Sequence, residues 1–327
     1  MMNVREQITQ RIIDAIEAGT PPWRQGWDAM ESHFNVSTGK PYQGINQILL
    51  GMSGFSDPRW LTLKQANAMK SDENPDGLRI KKGEKATTIV RLVEVERGSR
   101  DDKVGADVVA EDQKNRLVMK AFMVFNAAQI EGMPTMQPRV REIEPIEAVE
   151  NLVQGLKADG LTLLHGGDRA CYVPKLDMIK MPDKAVFHSA EDYHSTLLHE
   201  ASHATGAKKR LDRLGIFGNL TSMEAYAREE LRAELASAML GAELGIRQGE
   251  YHIENHAAYV ASWLQALRND QNEIFKAASA AQKIADWLKT HAVKPQVISA
   301  EDVTSTPVES VPADSLAPRR RVGMRMG

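Results

Sequence analysis

Cysteine is all but missing from this chain. Its 327 residues hold one, Cys171. That excludes an internal disulfide, excludes any zinc site built from several thiolates, and fits a reducing cytoplasm. A metal, if bound, must be held by histidine and carboxylate. Long apolar runs are missing too: nothing approaches the ~18 consecutive apolar residues of a membrane span. Residues 1–19 lack the apolar core of a secretory leader and read instead as an amphipathic helix, with Ile8, Ile12, Ile13 and Ile16 on one side. A strong charge of one sign is also lacking. The net charge of −3 gives no hint of nucleic acid, although locally Arg59, Lys64, Lys70, Arg79, Lys81, Lys82, Lys85 and Arg91 outnumber Asp72, Glu73, Asp76 and Glu84 two to one.

What is present suggests an α+β chain of two domains. The length favours more than one domain, and 42% hydrophobic with 26% charged residues is ordinary for a globular protein. Residues 1–130 read as a small mixed domain: a helix stopped by Gly19 and Pro21-Pro22, short helices over 46–52 and 62–69 with Thr62 as the N-cap, and strands over 87–95 and 117–126 forming a hairpin. The polar stretch 96–116 between them reads as a loop. Residues 131–145 (EGMPTMQPRVREIEP), with three prolines, read as a linker. A mostly helical domain with a short sheet is expected over 146–293, opening on a helix over 146–159 and strands over 162–165, 170–173 and 178–181. The segment DMIKMP (177–182) reads as an edge strand along which an extended peptide could add. The tail 294–327, rich in Pro, Ser, Thr and Val and ending in Arg319-Arg320-Arg321, reads as disordered.

Within SAEDYHSTLLHEASHATGA stands H-E-x-x-H: His199, Glu200 and His203. Four positions make about one helical turn, so both imidazoles reach one ion while Glu200 lies beside it as a general base. Ser189 is the expected N-cap, and Glu191 and Asp192 suit the first turn. Zinc with an open position acidifies its water to a pKa of about 7. A two-histidine, one-carboxylate site also suits manganese or cobalt. The third ligand is sought in EAYAREELRAELASAMLGAEL, whose Ala227, Leu231, Leu235 and Ala238 form an apolar stripe. Glu230 is the expected ligand, and Glu234, one turn on, the carboxylate that orients a ligand histidine. Glu229 competes with Glu230, and Glu224 stands further from consideration. The spacing resembles the third-ligand helix of gluzincin peptidases. Tyr251, His252, His256 and Tyr259 are candidates for a transition-state stabiliser. His188 and His194 read as packing or surface groups, and His33, His165 and His291 as incidental.

Three stretches of the first part, GKPYQGINQILL, DPRWLTLKQANAMK and LRIKKGEKATTIV, mix aromatics with cations and amides, the residue types that bind single-stranded nucleic acid. With the earlier PPWRQGW they resemble the N-terminal domain of the ArdC antirestriction proteins and the related N-terminal part of TraC plasmid primases. GGDRACYVP, the H-E-x-x-H helix, AYAREELRAELASAMLGAELGI and HAAYVASWL resemble the zincin-like metallopeptidase domain of ArdC. The resemblance runs over most of residues 3–290. It implies an N-terminal domain for single-stranded DNA, with Trp23, Arg24, Lys40, Tyr42, Asn46, Arg59, Trp60, Lys64, Lys81, Lys82 and Lys85 as candidate contacts. It also implies a C-terminal fold of gluzincin type, and a plasmid or mobile element whose incoming DNA is protected from restriction. A protein substrate or the restriction enzyme itself is the further partner expected. The primase resemblance is expected to stop at the shared N-terminal part.

Overall fold

The computed structural model describes residues 3–19, 21–23, 32–70, 74–96, 107–111, 115–136, 144–213, 223–246 and 253–293. Helix α1 (Val4–Glu17) opens on a reciprocal cap: the Asn3 side chain accepts from the Glu6 N–H, and the Glu6 carboxylate accepts from the Asn3 N–H. Its four isoleucines are buried on one side, as the 3.6-residue period requires. Strands β1 (Phe34–Asn35) and β2 (Lys40–Pro41) precede α2 (Ile45–Gly51), β3 (Arg59–Leu61) and α3 (Leu63–Ala68). Thr62 caps α3 in the same reciprocal way with Gln65. Then come β4 (Arg79–Ile80), β5 (Thr87–Glu96), β6 (Asp107–Glu111), β7 (Asn115–Asn126) and β8 (Ile130–Glu131).

Strand β7 is the spine of the first sheet, whose order is β2-β1-β3-β7-β5 with β6 also on β7. The hairpin expected from two β-rich runs is the β5–β7 pair. The connection between them is not all loop, contrary to expectation. Asp107–Glu111 pairs with β7 through a bulge between Val108 and Ala110, because a long polar connection can still satisfy backbone groups on an open strand side. The outer edge of β5 is covered by a side chain: Asn46 donates to the Val90 carbonyl and accepts from the Val90 N–H, both at 2.8 Å. The amide thus mimics one residue of a neighbouring strand.

The second half comprises α4 (Pro145–Ala158), β9 (Thr162–His165), β10 (Cys171–Val173), β11 (Met178–Met181), α5 (Ala190–Ala204), α6 (Met223–Leu244), α7 (Ile253–Asn269) and α8 (Glu273–His291). Strand β11 lies in the middle of its three-stranded sheet, antiparallel to β10 and parallel to β9. The edge position predicted for residues 177–182 is therefore wrong. Asp177 takes a left-handed φ of 45° and turns the chain so that β10 folds back over β11. The exposed edge next to α5 belongs to β10.

One apolar core joins α1, Trp23, Ile45, Ile48 and Leu49 of the first half to α4–α8 of the second. Trp23 meets Trp263 edge to face at 5.8 Å between ring centres. Thr9 donates to the Gln271 carbonyl, and the Gly44 N–H donates to Gln282. Within the predicted linker, residues 137–143 lie outside those described, as does the predicted disordered tail from 294 onward.

Candidate metal centre

Helix α5 carries the motif because its start is well made. Ser189 is extended, its hydroxyl accepts from the Asp192 N–H at 3.0 Å, and two acids occupy the first turn. Leu197 and Leu198 are wholly buried in the main apolar core, which holds α5 in place. His199 and His203 then present their Nε2 atoms to each other at 3.1 Å. Glu230 of α6 closes the triangle: its two oxygens lie 3.4 Å from the two Nε2 atoms, one to each. Among the described residues this is the one group of three His, Cys, Asp or Glu whose ligand atoms converge in this way.

The far side of each imidazole faces a carboxylate. His199 Nδ1 lies 3.6 Å from Glu234, and His203 Nδ1 lies 3.6 Å from Glu229. At 3.6 Å these are electrostatic contacts and not direct hydrogen bonds, and a negative charge on that side favours the proton on Nδ1, which leaves the Nε2 lone pair pointing inward. Two such lone pairs at 3.1 Å repel unless a cation lies among them. The electrostatics agree. Burial pulls both histidines toward the neutral form, yet the surrounding carboxylates overcome it, raising His199 well above its ordinary value and His203 to about 9. Burial likewise opposes the charge on Glu230, but the two histidines hold its carboxyl well below the usual range. A cavity that retains positive charge against burial fits a divalent cation, and these side chains are the hard and borderline donors such an ion takes.

Glu229, the competing third ligand in the sequence, has another place. It accepts from Arg213 at 3.0 and 3.4 Å, with Arg232 at 3.8 Å. Burial raises its pKa, but His203 and Arg213 bring it below the ordinary carboxylate value. Arg213 also donates to the Ser202 carbonyl and the Thr205 hydroxyl, closing the end of α5. Nothing in the sequence pattern marks Arg213, which follows the helix in an irregular segment. Glu224 is exposed and pairs with Arg228.

Glu200 is buried beside the histidines and accepts from the Tyr172 N–H of β10 at 2.7 Å. Burial raises its pKa, the histidines oppose this, and Glu230 adds to it. The strand is fixed in turn. The Tyr172 hydroxyl donates to Asp177, on which Arg210 forks at 2.7 and 2.9 Å. Burial works against the Asp177 charge, but Arg210 and Lys209 outweigh it and lower its pKa to about 2. His194 is buried and bonded to Glu150 and the Ala190 carbonyl, while His188 is exposed. The side chains of Tyr251, His252, His256 and Tyr259 lie outside the described residues.

The candidate DNA contacts are scattered. Trp23 and Trp60 have no exposed surface, so neither offers a face to a base. Trp60 donates instead to His33 at 3.1 Å, which gives His33 a packing role that the sequence did not show. Asn46 is committed to Val90, Arg59 to Asp57 and the Pro134 carbonyl, and Lys81 to the Ala128 carbonyl. Lys40, Lys64, Lys82 and Lys85 are exposed, Tyr42 is half-buried, and Arg24 lies outside the described residues.

Two families match successive parts of the chain. Residues 2–125 match the N-terminal domain of anti-restriction factor ArdC, and residues 147–280 match a zincin-like metallopeptidase. A DNA primase TraC of Escherichia coli is 41% identical over 299 residues, covering 86% of this chain and 27% of the primase. The primase resemblance thus extends through both halves and is not confined to the N-terminal part, as had been expected. The chain spans about a quarter of that relative's length. The uncharacterized protein y4eC of Sinorhizobium fredii is 38% identical over 88% of this chain and 91% of its own. Crystal structures of the antirestriction protein ArdC from plasmid R388, metal-free and Mn(II)-bound, superpose with TM-scores of 0.70 and 0.69 at 35% identity. They cover 89% and 90% of this chain and 98% and 100% of theirs.

Proposed function

The chain belongs to the ArdC antirestriction family, and on that premise we propose that it binds single-stranded DNA and hydrolyses peptide bonds at the His199–His203–Glu230 centre. The observation that carries the hydrolytic part is Glu200. A site built only to hold an ion needs ligands but no further carboxylate, yet Glu200 is buried beside the histidines and held by a backbone N–H. Zinc or manganese bound by the three side chains would supply a polarised carbonyl and an acidified water. Glu200, beside these ligands, would take a proton from the attacking water and return it to the leaving amine, a role that its raised pKa suits at neutral pH. The Tyr172 N–H holds one carboxylate oxygen, so the other is the basic one. Glu234 and Glu229 keep the two imidazoles in the tautomer that points Nε2 inward. DNA binding is supported by the ArdC N-terminal match and brings the centre to restriction or transfer machinery on single strands.

The test is cleavage of casein by the metal-loaded protein, with and without single-stranded DNA, alongside Glu200→Ala. Cleavage should fall by roughly 10²–10⁴-fold in the variant, with metal content unchanged. Absence of cleavage in wild type that retains metal and DNA binding would replace the peptidase by a protective DNA-binding protein whose ion is structural.

A further inference from the structure

The long β5–β7 pair segregates charge between its two faces. Residues directly opposite in an antiparallel pair share a face, and Arg91 is opposite Lys120, with Ile89 opposite Phe122 and Thr87 opposite Val124. Glu94 and Glu96 fall on the other face, opposite Leu117 and Asn115. Further along that face Arg116 falls opposite Glu111 of β6 in the backbone register.

Aromatic rings meet the exposed Arg91 on this face. Ile89 and Val124 form a small buried cluster with Leu50 and Trp60, and Tyr42, Phe55 and Phe122 pack on it while remaining only partly buried. The Arg91 guanidinium lies over the Phe122 ring, 5.7 Å from its centre, and is itself exposed. Arg91 is also close enough to Tyr42 to oppose the upward shift that burial gives its phenol. Rings seated on a core have already lost their rotamer freedom, so a ligand that stacks on them loses less entropy. Lys40, exposed two residues before Tyr42, adds a further cation.

We propose that Tyr42 and Phe122, flanked by Arg91 and Lys40, form the platform on which this chain stacks the bases of single-stranded DNA. The proposal rests on the DNA-binding reading above and gives it a location that the buried tryptophans do not. Flat rings accept any base, and the adjacent cations meet the phosphates between them, which makes the surface tolerant of sequence and sensitive to salt.

Binding of a fluorescein-labelled oligothymidylate, followed by anisotropy across a salt series, tests this. Phe122→Leu keeps an apolar side chain on the cluster but removes the ring, and should weaken binding about five- to hundredfold. Arg91→Gln, on an exposed side chain, should weaken binding and reduce the salt slope by about 0.7. Circular dichroism of each variant checks that the fold is kept. If wild type binds and both variants stay within twofold of it, while a Lys81, Lys82 and Lys85 triple glutamine variant loses the salt slope, the platform is refuted and DNA runs elsewhere. If wild type itself does not bind, the DNA-binding reading fails and the platform with it.

Discussion

Replacing Glu229 by glutamine should weaken metal binding although Glu229 is no ligand. Its carboxylate is almost wholly buried between His203 and Arg213, with Arg213 at 3.0 Å and His203 Nδ1 at 3.6 Å. Removing its charge leaves the Arg213 guanidinium uncompensated at 3.0 Å, so the variant gains a net positive charge close to the two histidines, which opposes a cation there. Also lost is the negative charge 3.6 Å from His203 Nδ1 that favours the proton on that nitrogen. The outward-facing nitrogen then has an amide neighbour that can donate as well as accept, and part of the population holds the wrong tautomer. The expected cost is tenfold to a hundredfold in affinity. Competition for zinc with a chromophoric chelator measures it directly on the metal-free protein, and the rise in melting temperature on adding metal gives a second readout. An affinity for Glu229→Gln within twofold of wild type, with the fold intact, would show that the outer carboxylate does not govern the histidine and would refute the reasoning.

His33 should make stability fall on mild acidification. Burial, which outweighs the opposing pull of Asp57, lowers its folded pKa to about 4 from an unfolded value of about 6.5, so the unfolded chain takes up a proton first. Stability is then fully present above pH ~6.5 and is lost as the pH falls toward ~4, by on the order of 3 kcal/mol. Urea unfolding at several pH values should show this slope in wild type and a shallower one in His33→Gln. Gly155→Ala sets two effects against each other. Alanine is the better helix residue by about 1 kcal/mol, but its Cβ would stand 1.9 Å from the His291 carbonyl oxygen, so α4 and α8 must separate. The separation should win and lower stability by roughly 1–3 kcal/mol, read as a depressed melting temperature. A variant as stable as wild type would mean that the two helices do not meet so closely.

The metal-site geometry was legible where the chemistry is local. H-E-x-x-H on a capped helix places two imidazoles by helical period alone, and the apolar stripe of α6 set which carboxylates turn inward. Arg213 was illegible because it acts across a turn of no regular period. The role of Glu229 needed the distance between two helices, which no spacing within one helix supplies. The strands of the second sheet were found at nearly their true limits, but residues 177–182 were read as an edge and lie in the middle, because pairing between strands is not written in the pattern of any one of them. Trp23 and Trp60 show a further limit: a tryptophan beside cations looks the same in sequence whether it faces solvent or core. Phe122 and Arg91 were passed over because each sits in a strand whose alternation reads as packing.

The core shared by α1, α2 and α4–α8 bears on inheritance. Recombination between mobile elements can exchange parts only where both products still fold. A crossover near residue 140 would leave Trp23 and the isoleucines of α1 facing a foreign surface, and Trp263 without its neighbour. The two halves therefore depend on one another for a closed core. The match to the much longer TraC primase likewise takes in 299 residues across both halves, and the shared core ties any change at the base of the first half to the helices that carry His199, His203 and Glu230.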